Sequence, residues 1–143
     1  MKKASAALLT LVVAATGLAI AGEFIHSVTV PVAVNVADQV EEGFKHAAEQ
    51  VRPTLPKRVD DATTLMEVSN AGMVLTHHYM VDSDNYELIP NFMQTARQEA
   101  IGLVCNTEDT KAAMEAGGTY EFNYRDGKFQ SLGGFVVTSA DCE

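Results

Sequence analysis

Apolar residues follow two different rhythms along this chain. In "EFIHSVTVPVAVNV", Phe24, His26, Val28, Val30, Val32 and Val34 share one parity. A period of two marks an extended strand. Pro31 has no amide to donate, which assigns the segment to a sheet edge or an extended leader. At Val36 the period changes. Val36, Val40, Phe44, Ala47, Ala48 and Val51 recur at spacings of three and four, one face of a helix. Asn35 and Asp38 are candidates for its start, and Pro53 and Pro56 end it.

Alternation then returns. Thr64, Met66 and Val68 alternate with Leu65, Glu67 and Ser69, and "SNAG" signals a turn. Met73, Leu75, His77, Tyr79 and Val81 lie on one face of the returning strand, so the two form a hairpin. A second helix is predicted from the stripe Ile89, Phe92, Met93, Ala96, Ala100, Leu103 and Val104, with Arg97 and Glu99 on its wet side. Asp82 and Asp84 are expected to stop the strand and cap this helix. Cys105 falls at or just past its end. "NTEDTKAAMEAGG" carries a start at Asn106 or Thr107, acids at Glu108 and Asp109, and a stop at Gly117. It reads as a short third helix or a broken continuation. In the last hairpin Tyr120, Phe122 and Tyr124 alternate with polar residues, and Asp126-Gly127 marks a tight turn. The partner strand holds Phe129 or, past "SLGG", Phe135 and Val137.

The order strand, helix, hairpin, helix, hairpin predicts an α+β domain. An antiparallel sheet of about four or five strands is packed on one face by two main helices.

The ends of the chain set the compartment. "MKKASAALLTLVVAATGLAIAGEF" has a basic start, no charge from Ala4 to Ala21, and the small-x-small pattern Ala19-Ile20-Ala21. These are the parts of a secretory signal peptide. Residues 1–21 are read as that signal and residues 22–143 as one α+β domain. The alternative is an uncleaved N-terminal membrane anchor on the same fold, since spanning needs about 17–25 residues. No cysteine follows the apolar run, which argues against a lipid-anchored lipoprotein. The chain has two cysteines, Cys105 and Cys142. In an oxidising compartment two thiols usually pair, and an intramolecular pair has one connectivity. Such a bridge would tie the end of the chain to the second helix, stabilising it by roughly 4 kcal/mol on the chain-entropy account. A free reactive thiol and an intermolecular bridge are the other readings. Neither cysteine stands in a CxxC pair, so dithiol redox chemistry has no support.

Charge and motifs then narrow the function. The formal charge is −9, and the basic region "KHAAEQVRPTLPKR" is diluted by Glu49. Nucleic-acid binding needs a basic face, which this chain lacks. The acidity serves solubility or attracts a cationic partner. His77 and His78 are adjacent, so on a strand they point to opposite faces and cannot share a metal ion. "DSDNYE" begins like a calcium loop, but Tyr86 and Glu87 stand where an oxygen ligand and glycine belong. Asp60-Asp61 diverge on extended backbone with no nucleophile nearby. No GxSxG motif or phosphate-binding glycine loop is present. The reading is therefore no catalytic residue, no metal and no cofactor. Tyr120, Phe122 and Tyr124 remain open between two roles, core or an aromatic platform for a partner.

"LPKRVDDATTLMEV", "VLTHHYMV", Cys105, "MEAGGTYEFNYRDGKF" and the final "DC" together form a layout over roughly residues 50–142. It resembles small exported bacterial proteins of the quorum-sensing-regulated virulence factor-like group. The shared marks are Leu55-Pro56, Val59-Asp60, Thr64-Leu65, Tyr79, Cys105, Gly117, Tyr120, Tyr124, Asp126-Gly127 and Asp141-Cys142. The resemblance carries over an architecture and an exported setting but no catalytic residue.

The sequence thus predicts a periplasmic or secreted, non-enzymatic binding protein of the bacterial envelope or of a secretion system, with a protein partner. The alternative is an acidic inhibitor of a cationic exported enzyme such as a lysozyme.

Overall fold

The computed structural model describes residues 2–4 and 35–143. The strand read at 24–34 and the apolar run and cleavage site before it lie outside the described residues. Lys2–Ala4 (β1) pairs in parallel with Tyr86–Leu88 (β5). The rest forms a mostly antiparallel five-stranded sheet with helices on one face, the α+β architecture expected.

Helix α1 runs Val36–Val51. Its start is set by Asn35, whose side-chain oxygen accepts from the Ala37 amide at 3.1 Å. After Val51 the chain tightens into a 3-10 turn, Arg52–Thr54, with Pro53 inside it. The apolar stripe does the work predicted for it: Val40, Phe44 and Ala48 are buried. Phe44 meets the Tyr120 ring edge-on at 5.2 Å.

The sheet order is β2-β3-β4-β6-β7. The strands are Lys57–Arg58 (β2), Thr63–Ala71 (β3), Val74–Val81 (β4), Thr119–Asp126 (β6) and Ser131–Val137 (β7). β3–β4 and β6–β7 are the two hairpins read from the sequence. Their junction is parallel: His77 pairs with Phe122 and Tyr79 with Tyr124 in a β4–β6 ladder. Parallel neighbours require a long crossover, and α2 (Phe92–Asn106) with α3 (Glu108–Glu115) supplies it.

β3 departs from simple alternation. Its register shifts between Leu65 and Glu67, so Met66 is an extra residue against β4. Parity changes at that bulge. Leu65 and Val68, three apart, both face the core, while Met66 and Glu67 are exposed.

The entry to α2 also differs from expectation. The Asp82 carboxylate accepts from the Asn85 amide and closes a local turn. β5 follows, and α2 begins only at Phe92, after Asn91 in the left-handed region (φ 65°). Neither Asp82 nor Asp84 caps it, because the stripe residue Ile89 precedes the helix. Thr107 stands at the start of α3 with Glu108 and Asp109 in the first turn, as predicted. α3 ends in a Schellman motif. The Gly118 amide donates to Ala113 O at 2.8 Å and the Gly117 amide to Met114 O at 2.9 Å. Gly117 takes φ 98°, where a side chain would be strained.

α1 packs on β3 and β4, and α2 on β7. Between them and the sheet lies one core, including Leu65, Val68, Leu75, Phe92, Ala96, Val104 and Met114. Cys105 on α2 is bonded to Cys142 in the last 3-10 turn, Ser139–Cys142, with Cα atoms 5.4 Å apart. The intramolecular reading of the two thiols is the correct one. Among the described residues no helix is long and apolar enough to cross a membrane.

Candidate functional site

The central strands carry a column of rings on their inner face. His77 stacks on Phe122 at 5.0 Å with planes 9° apart, and Phe122 stacks on Phe135 at 5.1 Å. One step along, Tyr79 stacks on Tyr124 at 4.9 Å, and Phe92 of α2 meets Tyr124 edge-on. Tyr120, Phe122 and Tyr124 are all within 4% of complete burial. The question left open by the sequence is answered: these three rings are core. The platform reading is corrected, because β6 lies inside the sheet and both helices cover the face that the rings occupy.

Burial sets the electrostatics of this column. It drives the His77 pKa down to about 4, against a backbone hydrogen bond at Glu121 and with a small repulsion from His78. It also drives the Tyr79, Tyr120 and Tyr124 phenols upward. His77 Nδ1 and the hydroxyls of Tyr79 and Tyr124 have no hydrogen-bond partner among the described residues. A neutral imidazole locked between rings cannot act as a general base on a substrate it never meets.

His78 points the other way, as predicted, and its Nε2 stands 3.5 Å from Ser69 Oγ. The uncovered face of the sheet around it is mixed. Thr76 Oγ1 donates to one Glu121 oxygen at 3.2 Å, and Asn123 Nδ2 donates to the other at 3.1 Å. Met66 and Val136 are exposed. These polar groups pair with one another.

The acidic pairs resolve the same way. Asp60 Oδ1 accepts from the Ala62 and Thr63 amides, each at 2.7 Å, and so shapes the turn into β3. The Asp61 carboxylate points into solvent near Arg58. Among the described residues no group of three His, Cys, Asp or Glu side chains is placed to hold a metal ion. Glu99, read on the wet side, is only partly exposed. Burial raises its pKa, and the Asp60 charge adds to the shift. Arg97 is not free either: its guanidinium donates to Asp141 at 2.5 Å.

What remains for recognition is surface. Phe129 is 71% exposed at the tip of the last hairpin, and Val136 and Val36 are also exposed. Of the two readings of the returning strand, the one with Phe135 and Val137 holds, since both lie in β7; Phe129 does not. In the structure it belongs to the turn, which spans the residues between Asp126 and Gln130.

Known proteins supply a fold. No family model matches the chain, so the virulence factor-like resemblance rests on residues alone. No curated protein matches either. Solved structures do. A pilotin of the Vibrio vulnificus type 2 secretion system, EpsS, superposes with a TM-score of 0.67 at 18% identity. The match covers 76% of this chain and 96% of that one. The chain shares the fold of that pilotin. The Vibrio cholerae type II pilotin AspS matches with a TM-score of 0.62 at 17% identity, covering 75% of this chain and 95% of AspS. A Pseudomonas aeruginosa protein described as secreted shares the fold as well, with a TM-score of 0.66 at 13% identity, covering 76% and 96% of the two chains.

Proposed function

We propose that this chain is an exported, non-enzymatic accessory protein that acts by holding a protein partner in the envelope, in a type II secretion system. The observation that carries the reading is the fold itself. About three quarters of the chain matches nearly the whole of two pilotin structures. The disulfide between Cys105 and Cys142 supports an oxidising compartment, periplasmic or secreted. Residues 1–21 as a signal and 22–143 as the mature domain belong to the same reading. Both cysteines of the sequence are used in this bond, so the reading invokes no lipid attached through a thiol.

The test is a deletion in the parent organism. Loss of the gene should mislocalise an outer-membrane component of the type II system, with its substrates retained in the periplasm. Unchanged secretion would overturn the reading. The inhibitor alternative is separated by salt. An acidic inhibitor of a cationic enzyme should lose affinity steeply between low and high ionic strength, whereas a partner gripped by apolar anchors should not.

A further inference from the structure

The two hairpins of this sheet solve the same backbone problem differently. The β3–β4 turn needs a left-handed residue, and Gly72 supplies it at φ 56°. The β6–β7 turn also needs one. There the Asp126 amide donates to Gln130 O and the Phe129 amide donates to Asp126 O, each at 2.9 Å. This is a type I turn followed by a bulge residue in the left-handed region, a place that favours glycine. The chain has a glycine two residues earlier, Gly127, whose φ is not in that region. Phe129 holds the strained position instead, at φ 63°. For a bulky residue this is a genuine outlier.

Two further observations fall on the same residue. Phe129 is 71% exposed, more than Val36, Met66 or Val136. Its ring therefore gives the fold almost no burial in return for the strain. The turn that presents it is also braced by side-chain contacts. Asp126 Oδ1 accepts from the Lys128 amide at 2.9 Å and the Gln130 amide at 2.8 Å. Lys128 Nζ reaches Asp84 of the neighbouring turn at 3.8 Å.

We infer that the Asp126–Gln130 tip is a protein-docking element whose anchor is Phe129, and that its occupant is a protein partner with an apolar pocket for one phenyl ring. Strain kept at an exposed position points to function, and phenylalanine is among the residues enriched at the core of protein interfaces. The surroundings argue against other occupants. The tip carries Asp126, and Asp84 of the neighbouring turn, against the cation Lys128, so its net charge is acidic and an anionic lipid surface is repelled, and one ring is a weak membrane anchor. A second copy carries the same formal charge of −9. The inference rests on the reading above that the chain works through a protein partner.

Three measurements test it. Phe129→Gly should raise the melting temperature by about 2–5 °C, because it relieves the left-handed strain. A fall would show that the ring serves the fold and would overturn the inference. A photo-reactive phenylalanine analogue at position 129 should form one discrete protein adduct in cells, and the same probe at Val36 should not. Adducts only to lipid, or only to a second copy, would overturn it. The captured protein, once purified, should bind Phe129→Ala and Phe129→Gly about tenfold or more weakly than the native chain; equal affinity would overturn it. Failure of the accessory reading looks different, because deletion would leave secretion intact while a specific Phe129-dependent adduct could still form.

Discussion

Asp141 accepts a hydrogen bond from Arg97 at 2.5 Å, one residue before Cys142 is bonded to Cys105 on the same helix. The end of the chain is therefore held to α2 twice, eight positions apart. The Asp141 carboxylate also takes the Thr138 amide at 2.9 Å, closing the final turn on itself. A final turn that would otherwise fray is instead packed on α2 and α3.

The covalent half of this clasp closes a loop with a sequence separation of 37. Replacing both Cys105 and Cys142 with serine should destabilise the domain by about 2–4 kcal/mol. Urea denaturation with and without reductant checks this, and the reduced native chain should match the double variant. Mass spectrometry of native material should find no free thiol.

The ionic half is smaller. Arg97 keeps 42% of its side chain exposed, so solvent screens the pair. A double-mutant cycle with Arg97→Met and Asp141→Asn should give a coupling of about 0.5–1.5 kcal/mol. The Asp141 pKa is held below its ordinary value, first by the Thr138 amide and then by Arg97. Its stabilisation is therefore present above the unfolded carboxylate value, about pH 4, and is lost as pH falls through the lower folded value. Arg97→Met should move the Asp141 carbon resonance titration upward.

Much of this fold was legible in the sequence, and the failures have causes. The stripe from Val40 to Ala48 named the buried face of α1 because a helix repeats its faces regardless of context. The ladder between His77 and Phe122 was not legible as parallel, since alternation reports which face a residue takes and not which strand lies beside it. The bulge at Met66 was hidden for a related reason: one extra residue inverts parity, and only the partner strand reveals it. The partners of Arg97 and Glu99 were not legible because Asp141 and Asp60 are distant in sequence. The sequence leaves Phe129 open between strand and turn because an exposed aromatic in a left-handed turn violates the expectation that glycine fills it.

Two glycines with opposite surroundings give a paired prediction. A Cβ on Gly118 would come 2.7 Å from Ala113 O and 2.9 Å from Phe44 Cζ. Gly118→Ala should therefore push α1 and α3 off the sheet and destabilise by about 1–3 kcal/mol. Gly43 lies inside α1 with nothing within 4 Å of such a Cβ. Gly43→Ala should stabilise by about 0.5–1 kcal/mol. Thermal melts of the two variants should move in opposite directions.

The buried hydroxyls of Tyr79 and Tyr124 lack partners within the described residues. A buried donor without an acceptor carries a desolvation cost, so removing it is nearly neutral or favourable. Tyr79→Phe and Tyr124→Phe should each leave stability unchanged or raise it. A loss above about 1 kcal/mol in either would mean that an ordered water satisfies the hydroxyl.

His77 makes the domain sensitive to acid. The imidazole is 3% exposed, stacked on Phe122, and its pKa lies at about 4. In the unfolded chain the same ring takes a proton near pH 6.5. Above pH 6.5 neither state is protonated and stability is flat in this term. Below it the unfolded state binds a proton that the native state refuses, so stability falls until about pH 4, by roughly 2–4 kcal/mol in all. His78 lies on the uncovered face and Glu121 contributes its backbone, so among the described residues no carboxylate offsets the burial. His77→Phe keeps the stack on Phe122 and has nothing to protonate. Its stability should be level between pH 6.5 and 4.5, where the native chain slopes. A slope that survives in the variant, or a native His77 titrating near 6.5 by NMR, would show that the ring is not sealed in the core.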